Sequence, residues 1–315
     1  MKHAERSFVK DKQFPDDVQM LFCIGAQKAG TTWLFHLLRE SKHIHFTKNK
    51  ELHYFDVIYG KAKKLHEARI NAVKMLAHKL GNEIGAYNDN HLDALIDLSQ
   101  LLRIYSNHDG NHQAYVSYLL NDHSDQDVIA DITPAYAILD RAGFTEMGRI
   151  GCAKFIFILR DPVDRMWSQI RMAVGSQNHQ AESFQRACEQ RARHLIANNR
   201  LANIERGNYQ RTIEELESAI PLNRIKYIFY ENLFSENTIF DICEFIGVPA
   251  LFAQFETRQN VGIEAVLPED LRLEFKRALQ PQYTYCREKF GATLPPSWCK
   301  ALEPCLSFKA DATNS

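Results

Sequence analysis

The sequence has no excess of charge of one sign and no long apolar run. Its 315 residues carry a formal net charge of −1, which gives no general attraction to nucleic acid or to an anionic membrane. No apolar segment approaches the roughly 18–20 residues that cross a bilayer, and the N-terminus lacks the apolar centre of a signal peptide. We therefore expect a soluble, cytoplasmic protein with no transmembrane segment and no nucleic-acid partner.

Cysteine pairs with the spacing of a zinc or redox site are also absent. The seven cysteines are scattered and none forms a C-x-x-C pair, so neither kind of site is indicated. Cys299 and Cys305 could pair, but reduced thiols are the simpler expectation for a cytosolic protein. His108, Asp109 and His112 share one polar stretch without a fixed ligand geometry, so we predict no metal.

The most informative segment combines a strand pattern, a tight loop and a helix start. Val18–Ile24 is apolar and β-prone, and the loop after it contains Gly25, Lys28 and Gly30. Backbone N–H groups at such a turn converge on an anion, and the helix dipole adds partial positive charge. Glycine is also common in such turns for geometry alone. The lysine, together with two hydroxyls at the helix start, favours a phosphate or phosphosulfate site.

This loop differs from the phosphate loop of nucleotide hydrolases. That loop reads G-x-x-x-x-G-K-[ST], and its hydroxyl holds magnesium. Gly25 and Gly30 have the same separation, but Thr31 occupies the lysine position and Lys28 lies inside the loop. The loop is therefore predicted to bind an anionic group without a metal clamp.

A second anion-binding pattern follows the strand-like run at 154–159. Arg160 comes directly after this run, and Asp161 with the proline after it indicates a helix start. Ser168 lies about two helical turns beyond Arg160. An arginine at a strand end and a hydroxyl on the next helix can hold a phosphate. The alternative is a helical ion pair between Asp161 and Arg165 beside an exposed Arg160.

Together these patterns resemble the donor site of sulfotransferases that use phosphoadenosine phosphosulfate (PAPS), in the branch of heparan sulfate sulfotransferases and their soluble bacterial relatives. The resemblance covers roughly residues 18–290. It implies that Lys28 contacts the phosphosulfate and that Arg160 and Ser168 hold the 3′-phosphate. The residues it assigns to donor binding are Gln27, Lys28, Ala29, Gly30, Thr31, Thr32, Trp33, Arg160 and Ser168, with Tyr209 and Arg258 from looser matches.

The family's K-E-x-H-[FY]-F pattern also occurs, after the second strand pattern. It implies that Glu51 is the general base for the acceptor, while Lys28 stabilises the leaving phosphate. His53 is a rival base, because neutral imidazole suits the same task at pH 7; alternatively it packs and orients the loop. Lys48 and Lys50 are either solvated charges or attract an anionic acceptor.

Other matches are looser. Heparan-type members often carry a lysine just before the segment that begins here at Thr133, where this chain has Asp131 and Ile132. This departure argues against simple transfer of glycosaminoglycan specificity. Tyr209 follows an R-G-x-Y pattern and either approaches the nucleotide or packs in the core. Arg258 is the candidate for the basic loop that closes over the 3′-phosphate.

Alternating strand and helix patterns predict an α/β protein, a P-loop-like three-layer fold with a central parallel sheet flanked by helices. The β-type runs are 18–24, 43–46, 128–132, 154–159 and 225–230. Helices are expected at 31–41, 61–80, 89–105, 112–121, 134–148, 162–174, 182–198, 207–219, 235–247 and 268–290. One domain would span 18–307, between an extension at 1–17 and a frayed tail at 308–315, with a helical insertion at 57–127 that the resemblance assigns to the acceptor cleft.

We therefore expect an enzyme that moves a sulfuryl group from PAPS to a hydroxyl or amine and releases PAP, without a metal. PAPS would bind at the carboxyl edge of the sheet. An atypical P-loop nucleotide kinase, which would need magnesium and prefer ATP, and a catalytically silent PAP-binding protein are the alternatives. Carbohydrate, lipid and small-molecule acceptors all fit, and the sequence does not determine the oligomeric state.

Overall fold

The computed structural model describes residues 13–82, 89–106, 110–175, 180–201, 204–253 and 264–300. Its sheet has five strands in the order β2-β3-β1-β4-β5, and every neighbouring pair is parallel. The strands are β1 (Gln19–Gly25), β2 (Ile44–Phe46), β3 (Val128–Ile132), β4 (Lys154–Leu159) and β5 (Ile225–Phe229). The predicted α/β class, with a central parallel sheet between helices, is confirmed.

Helices connect these strands and continue to the end of the described chain. The α-helices are α1 (Thr31–Arg39), α2 (Tyr54–Ile58), α3 (Lys63–Asn82), α4 (Asp89–Ser106), α5 (Gln113–Leu119), α6 (Arg141–Gly148), α7 (Pro162–Val174), α8 (Ala181–Ala197), α9 (Tyr209–Ala219), α10 (Tyr230–Leu233), α11 (Glu236–Ile246), α12 (Glu269–Phe290) and α13 (Pro296–Lys300). Short 3-10 turns lie at Pro134–Ile138, Glu205–Gly207, Leu222–Arg224 and Gly291–Thr293. The sequence patterns did not predict the short helices α2, α10 and α13.

The central strands are apolar because helices cover both faces of the sheet. Every residue of β3 is buried, and β1 and β4 are buried except at their first residues. Phe22 of β1 stacks on Phe155 of β4, with ring centroids 5.4 Å apart. Since β1 and β4 are adjacent and parallel, the loop after Gly25 and the residue Arg160 emerge side by side at the carboxyl edge.

The helix predicted at 134–148 is wrong in one respect, because the structure divides it in two. Pro134–Ile138 forms a 3-10 turn, Leu139 and Asp140 are extended, and α6 begins only at Arg141. The Asp140 side chain accepts a hydrogen bond from the N–H of Gly143 at 3.0 Å and so caps α6. An apolar run buried on all sides fits either conformation, so its spacing did not reveal the break.

The insertion between β2 and β3 contains α2, α3, α4 and α5. Arg69 of α3 donates to the backbone carbonyl oxygens of Leu52 at 3.1 Å and Glu51 at 3.2 Å. Its guanidinium also lies over the Tyr105 ring of α4, 5.2 Å from the centroid. These contacts tie the insertion to the segment that precedes α2.

Several expectations fall on residues that the structure does not describe. His108, Asp109, Arg258, Cys305 and the tail at 308–315 lie outside the described residues. The described cysteines are free thiols. Among the helices that the structure describes, none is both long and apolar enough to cross a membrane.

The cap of α6 yields a stability prediction. Asp140→Ala removes the acceptor for the Gly143 N–H group, so we expect a loss of about 1 kcal/mol in the free energy of unfolding. Urea denaturation followed by circular dichroism measures it. Asp125→Ala, at an exposed loop position, is the matched control and should leave the midpoint nearly unchanged. Equal midpoints for the two variants would contradict the assignment of the cap.

Candidate functional site

A cleft of about 1450 Å³ lies at the carboxyl edge of the sheet. It is bounded by the β1–α1 loop, the segment between β2 and α2, the start of α3, and α7. The predicted site residues that line it are Gln27, Lys28, Gly30, Thr31, Thr32, Trp33, Glu51, His53, Arg160 and Ser168. Both predicted anion-binding patterns and the predicted base therefore share one cleft.

The β1–α1 loop is shaped by backbone conformations that few side chains allow. Lys28 has a φ of 73° and Gly30 a φ of 88°. A Cβ atom on Gly30 would lie 2.7 Å from the Leu233 side chain, so both space and conformation require glycine there. Ala29 is buried, and its N–H group donates to the carbonyl of Ala26 at 3.1 Å. Ala29 thus folds the loop rather than lining the cleft.

The loop leads into α1 with its helix N-terminus at the cleft. No described side chain caps this end, and the first turn contains no acidic residue. The first N–H groups of a helix lack partners within the helix and attract negative charge. Thr31 and Thr32 add hydroxyl groups at the same place. The N-terminus of α1 is therefore chemically suited to an anion.

Arg160 joins the two anion-binding patterns. Its Nη1 donates to the carbonyl oxygen of Lys28 at 2.9 Å, and its guanidinium lies 4.4 Å from the centroid of the Tyr230 ring. Tyr209 is buried, and its hydroxyl donates to the Arg160 carbonyl at 2.6 Å and accepts from the Arg160 N–H at 3.2 Å. Tyr209, predicted to approach the nucleotide or to pack, is a core residue that holds the Arg160 backbone.

The start of α7 matches the predicted helix boundary. The Asp161 carboxylate accepts from the N–H groups of Val163 at 3.0 Å and Asp164 at 3.1 Å. The alternative ion pair between Asp161 and Arg165 does not form. Arg165 is buried, and its Nη1 instead donates to Gln169 at 2.8 Å. Asp161 therefore fixes the direction in which α7 leaves Arg160.

Three positively charged side chains, those of Lys28, Arg160 and Arg171, lie near one another in the cleft. Burial lowers the pKa of the Lys28 amine, and the neighbouring guanidinium groups of Arg160 and Arg171 lower it further. Arg171 was not predicted, although it lines the cleft one turn after Ser168 on α7. Residues three apart share a helix face, so this spacing was a usable signal. Cations that repel one another are stabilised when an anion binds between them.

His53 and Glu51, the two residues predicted as alternative bases, form an ion pair with each other. His53 Nδ1 lies 2.8 Å from Oδ2 of the buried Asp56, and His53 Nε2 lies 3.4 Å from Oε2 of Glu51. Burial alone would lower the pKa of the His53 imidazole, but both carboxylates outweigh burial and raise the pKa to about 9. At pH 7 His53 is therefore an imidazolium, which cannot accept another proton.

Glu51 has the opposite shift. Burial alone would raise its pKa, but hydrogen bonds and attraction from His53 and Lys50 prevail and lower the pKa to about 2. Glu51 is therefore ionised at neutral pH and faces the cleft, with 41% of its side chain exposed. Of the two candidates, Glu51 alone is in the form that can take a proton.

Asp131 lies beneath these residues as a fully hydrogen-bonded buried carboxylate. It accepts from the hydroxyls of Tyr115 at 2.7 Å, Tyr136 at 2.8 Å and Thr133 at 2.6 Å. Burial raises its pKa to about 6, although all three hydrogen bonds favour the charged form. The sequence marked this position only as a departure from a family pattern.

Two of these hydroxyls, those of Thr133 and Tyr136, also hold the segment that carries Glu51 and His53. Thr133 Oγ1 accepts from the N–H of Leu52 at 3.0 Å, and the Tyr136 hydroxyl accepts from the N–H of Tyr54 at 3.1 Å. The hydroxyls of Thr133 and Tyr136 therefore each donate to Asp131 and accept from a backbone N–H group next to His53. The positions of the two catalytic candidates follow from this buried network.

The two lysines beside Glu51 have different surroundings. Lys48 is 63% exposed and pairs with Asp97 of α4 at 2.6 Å. Lys50 is only 18% exposed, and its Nζ donates to Oε1 of Glu51 at 2.9 Å and to Oγ1 of Thr32 at 3.3 Å. The interpretation of Lys50 as a solvated charge is therefore wrong.

One wall of the cleft belongs to the insertion. Residues 60–65, which include Lys61, Lys63 and Lys64, line the cleft together with the β1–α1 loop. His112, one of the residues weighed for a metal, is buried and bonds to the Tyr54 hydroxyl at 3.0 Å and to Glu146 at 3.2 Å. Within the described chain, no group of three or more potential metal-binding side chains comes together.

The His53 contacts yield a titration prediction. NMR of ring-labelled histidine should give His53 a pKa near 9, and Asp56→Asn should lower it by more than one unit, because the 2.8 Å hydrogen bond loses its charge. Since the folded pKa exceeds the unfolded value, the contribution to stability is complete below about pH 6.5 and is lost as the pH rises through 9. A wild-type His53 that titrates near 6.5 would contradict this geometry.

Known proteins provide an independent comparison. The model of the sulfotransferase family matches residues 20–253. The crystal structure of a sulfotransferase from Alicyclobacillus acidocaldarius aligns with 88% of this chain and 97% of its own, at 17% identity and a TM-score of 0.52. The sulfotransferase domain of the Synechococcus PCC 7002 olefin synthase aligns with 92% of this chain and 100% of its own, at 16% identity and a TM-score of 0.46. No curated protein matches the sequence. The family match covers well over half of the chain, and the chain belongs to the sulfotransferase family.

Proposed function

We propose that this protein transfers a sulfuryl group from PAPS to a hydroxyl or amine of an acceptor and releases PAP. The observation that carries the proposal is the single cleft in which the anion-binding loop, Arg160 and Glu51 meet. Membership of the sulfotransferase family supports sulfuryl transfer as the reaction. The chemistry of the cleft supports the finer assignment of donor and base.

PAPS carries two anionic groups, the 5′-phosphosulfate and the 3′-phosphate. The cleft has two sets of cations and hydrogen-bond donors that could bind them. The N-terminus of α1, with Lys28, suits the 5′-phosphosulfate. Arg160 and Ser168, with Arg171 one turn further along α7, suit the 3′-phosphate. A bound polyanion would offset the repulsion that lowers the pKa of Lys28. The donor would therefore stabilise the arrangement that binds it.

The transfer step needs a base on one side of sulfur and a cation on the other. The acceptor oxygen or nitrogen attacks sulfur in line, the bond from sulfur to the 5′-phosphate oxygen breaks, and its electron pair stays on that oxygen. Lys28 meets the charge that develops there. The acceptor proton passes to the Glu51 carboxylate. His53, charged and bonded to Glu51 and Asp56, orients the base.

The donor assignment predicts metal-independent binding of PAP. Calorimetry should detect PAP binding by the wild type without magnesium, and Arg160→Ala should weaken it about 10- to 100-fold, since charge-assisted hydrogen bonds are lost. Arg193→Ala, an exposed arginine on α8 that pairs with Asp270, is the matched control and should bind PAP normally. A preference for ATP with magnesium would support a kinase instead, and no binding of either would refute the donor site.

The base assignment predicts a loss of turnover without a loss of donor affinity. Glu51→Gln keeps the shape but cannot take the proton, so PAP release from PAPS should fall about 10²- to 10⁴-fold. The acceptor for this assay comes from a panel of alcohols, phenols, carbohydrates and amines.

PAP affinity and a control variant test whether Glu51 acts as the base rather than in donor binding. PAP affinity of Glu51→Gln should stay within about threefold of wild type, because no donor contact is lost. Glu244→Gln, on the exposed side of α11, is the control for the substitution itself. Turnover that survives in Glu51→Gln would remove Glu51 as the base, whereas transfer by the wild type would still stand.

A further inference from the structure

Lys50 occupies the space between the donor loop and the base. Its Nζ is 3.3 Å from Oγ1 of Thr32 and 2.9 Å from Oε1 of Glu51. Thr32 lies in the first turn of α1, where the anionic donor would bind, and Glu51 faces the acceptor. One mostly buried ammonium group therefore contacts both the proposed donor site and the proposed base.

The two lysines of the site have separate neighbours. Lys28 is close enough to Arg160 and Arg171 for their charges to lower its pKa. Lys50 instead contacts Glu51, and its charge contributes to the low pKa of that carboxylate. Lys28 thus belongs to the leaving-phosphate side and Lys50 to the acceptor side of the sulfur atom. Nothing in the proposed transfer step so far uses Lys50.

The position of Lys50 poses a chemical problem for the base. A carboxylate bound to an ammonium and an imidazolium is a poor proton acceptor, because both cations stabilise its charged form. The groups in contact with Glu51 are Lys50 and His53 on its own segment and Arg69 of α3 at its backbone carbonyl. Lys50 also contacts Thr32 in the first turn of α1.

The donor offers the competing anion. An ammonium has three N–H donors, and the contacts to Thr32 and Glu51 use two of them. The terminal sulfuryl group of PAPS carries oxygens with negative charge, whereas PAP ends at the 5′-phosphate and has no such group. A sulfuryl group bound beside Thr32 would compete with Glu51 for the same ammonium.

We propose that Lys50 is a second cation of the transfer step, which turns from the Glu51 carboxylate to the sulfuryl oxygens when PAPS binds beside Thr32. This inference rests on the proposed function. The sulfuryl oxygens keep their negative charge while sulfur passes from the phosphate oxygen to the acceptor, and Lys50 stabilises them throughout. The acceptor proton goes to Glu51, which has lost one of its two cations and accepts the proton more readily.

The distinguishing consequence is selectivity between PAPS and PAP. Lys50→Met removes the charge and keeps much of the side-chain length. We expect PAPS affinity, measured by calorimetry without acceptor, to fall at least tenfold, and PAP affinity to change less than threefold. We expect kcat/KM for PAPS to fall at least tenfold as well, because the sulfuryl oxygens lose Lys50 in the transition state as they do in the bound donor.

Two further variants make the test specific. Lys48→Met changes the neighbouring exposed lysine, which pairs with Asp97, and should bind PAPS and PAP as the wild type does. Lys50→Arg keeps the charge and should restore part of the PAPS selectivity. If Lys50→Met does not fold, Lys50→Gln, which keeps a hydrogen-bond donor without the charge, takes its place.

The outcomes separate this inference from the proposed function. Equal losses of PAPS and PAP affinity in the uncharged variant, or no loss of either, would overturn the role of Lys50 while wild-type transfer stands. Wild-type protein that binds neither nucleotide would overturn the proposed function and this inference with it. A selective loss of PAPS affinity, together with normal behaviour of Lys48→Met, would support both.

Discussion

The segment that carries the candidate base depends on one buried carboxylate, that of Asp131 on β3. Three hydroxyls donate to it, and two of them also accept backbone N–H groups on either side of His53. A buried charge is costly unless its hydrogen bonds are complete, so the network has little freedom to change. The sheet itself therefore sets the position of Glu51, rather than the loop on which Glu51 lies.

The cleft above this network separates positive charge into two groups. Lys28, Arg160 and Arg171 lie together on the side of β4 and α7, where burial and the charges of the two arginines lower the pKa of Lys28. On the side of β2, carboxylates balance the cations, since Lys50 and His53 both contact Glu51. Three cations lie together in the first group, so the proposed polyanionic donor would be attracted there, beside the ionised Glu51.

The features that could be predicted from the sequence are those that depend on local order along the chain. All five strands were predicted, as were the two loop and helix-start segments that line the cleft, because an apolar run followed by a loop and a helix start has a clear local signature. The contacts of Asp131 with Tyr115, of Lys50 with Thr32 and of Tyr209 with the Arg160 backbone were not predicted, because each joins residues distant in sequence. Arg171 differs from these, since its spacing from Ser168 was visible. The extended residues before α6 were missed because burial on all sides removes the periodicity that distinguishes helix from strand.

The pairing of Glu51 with Lys50, which also contacts Thr32 in the first turn of α1, suggests an order for the proposed reaction. A carboxylate whose pKa is about 2 takes a proton from a hydroxyl poorly, so an acceptor that enters the cleft alone meets an unreactive group. In the proposed mechanism the donor would change this through Lys50, because the ammonium that contacts Glu51 also contacts Thr32 in the first turn of α1. The base would then become effective only when sulfur is in place to be attacked. Lys28 cannot provide this coupling, because its charged neighbours are arginines rather than the base.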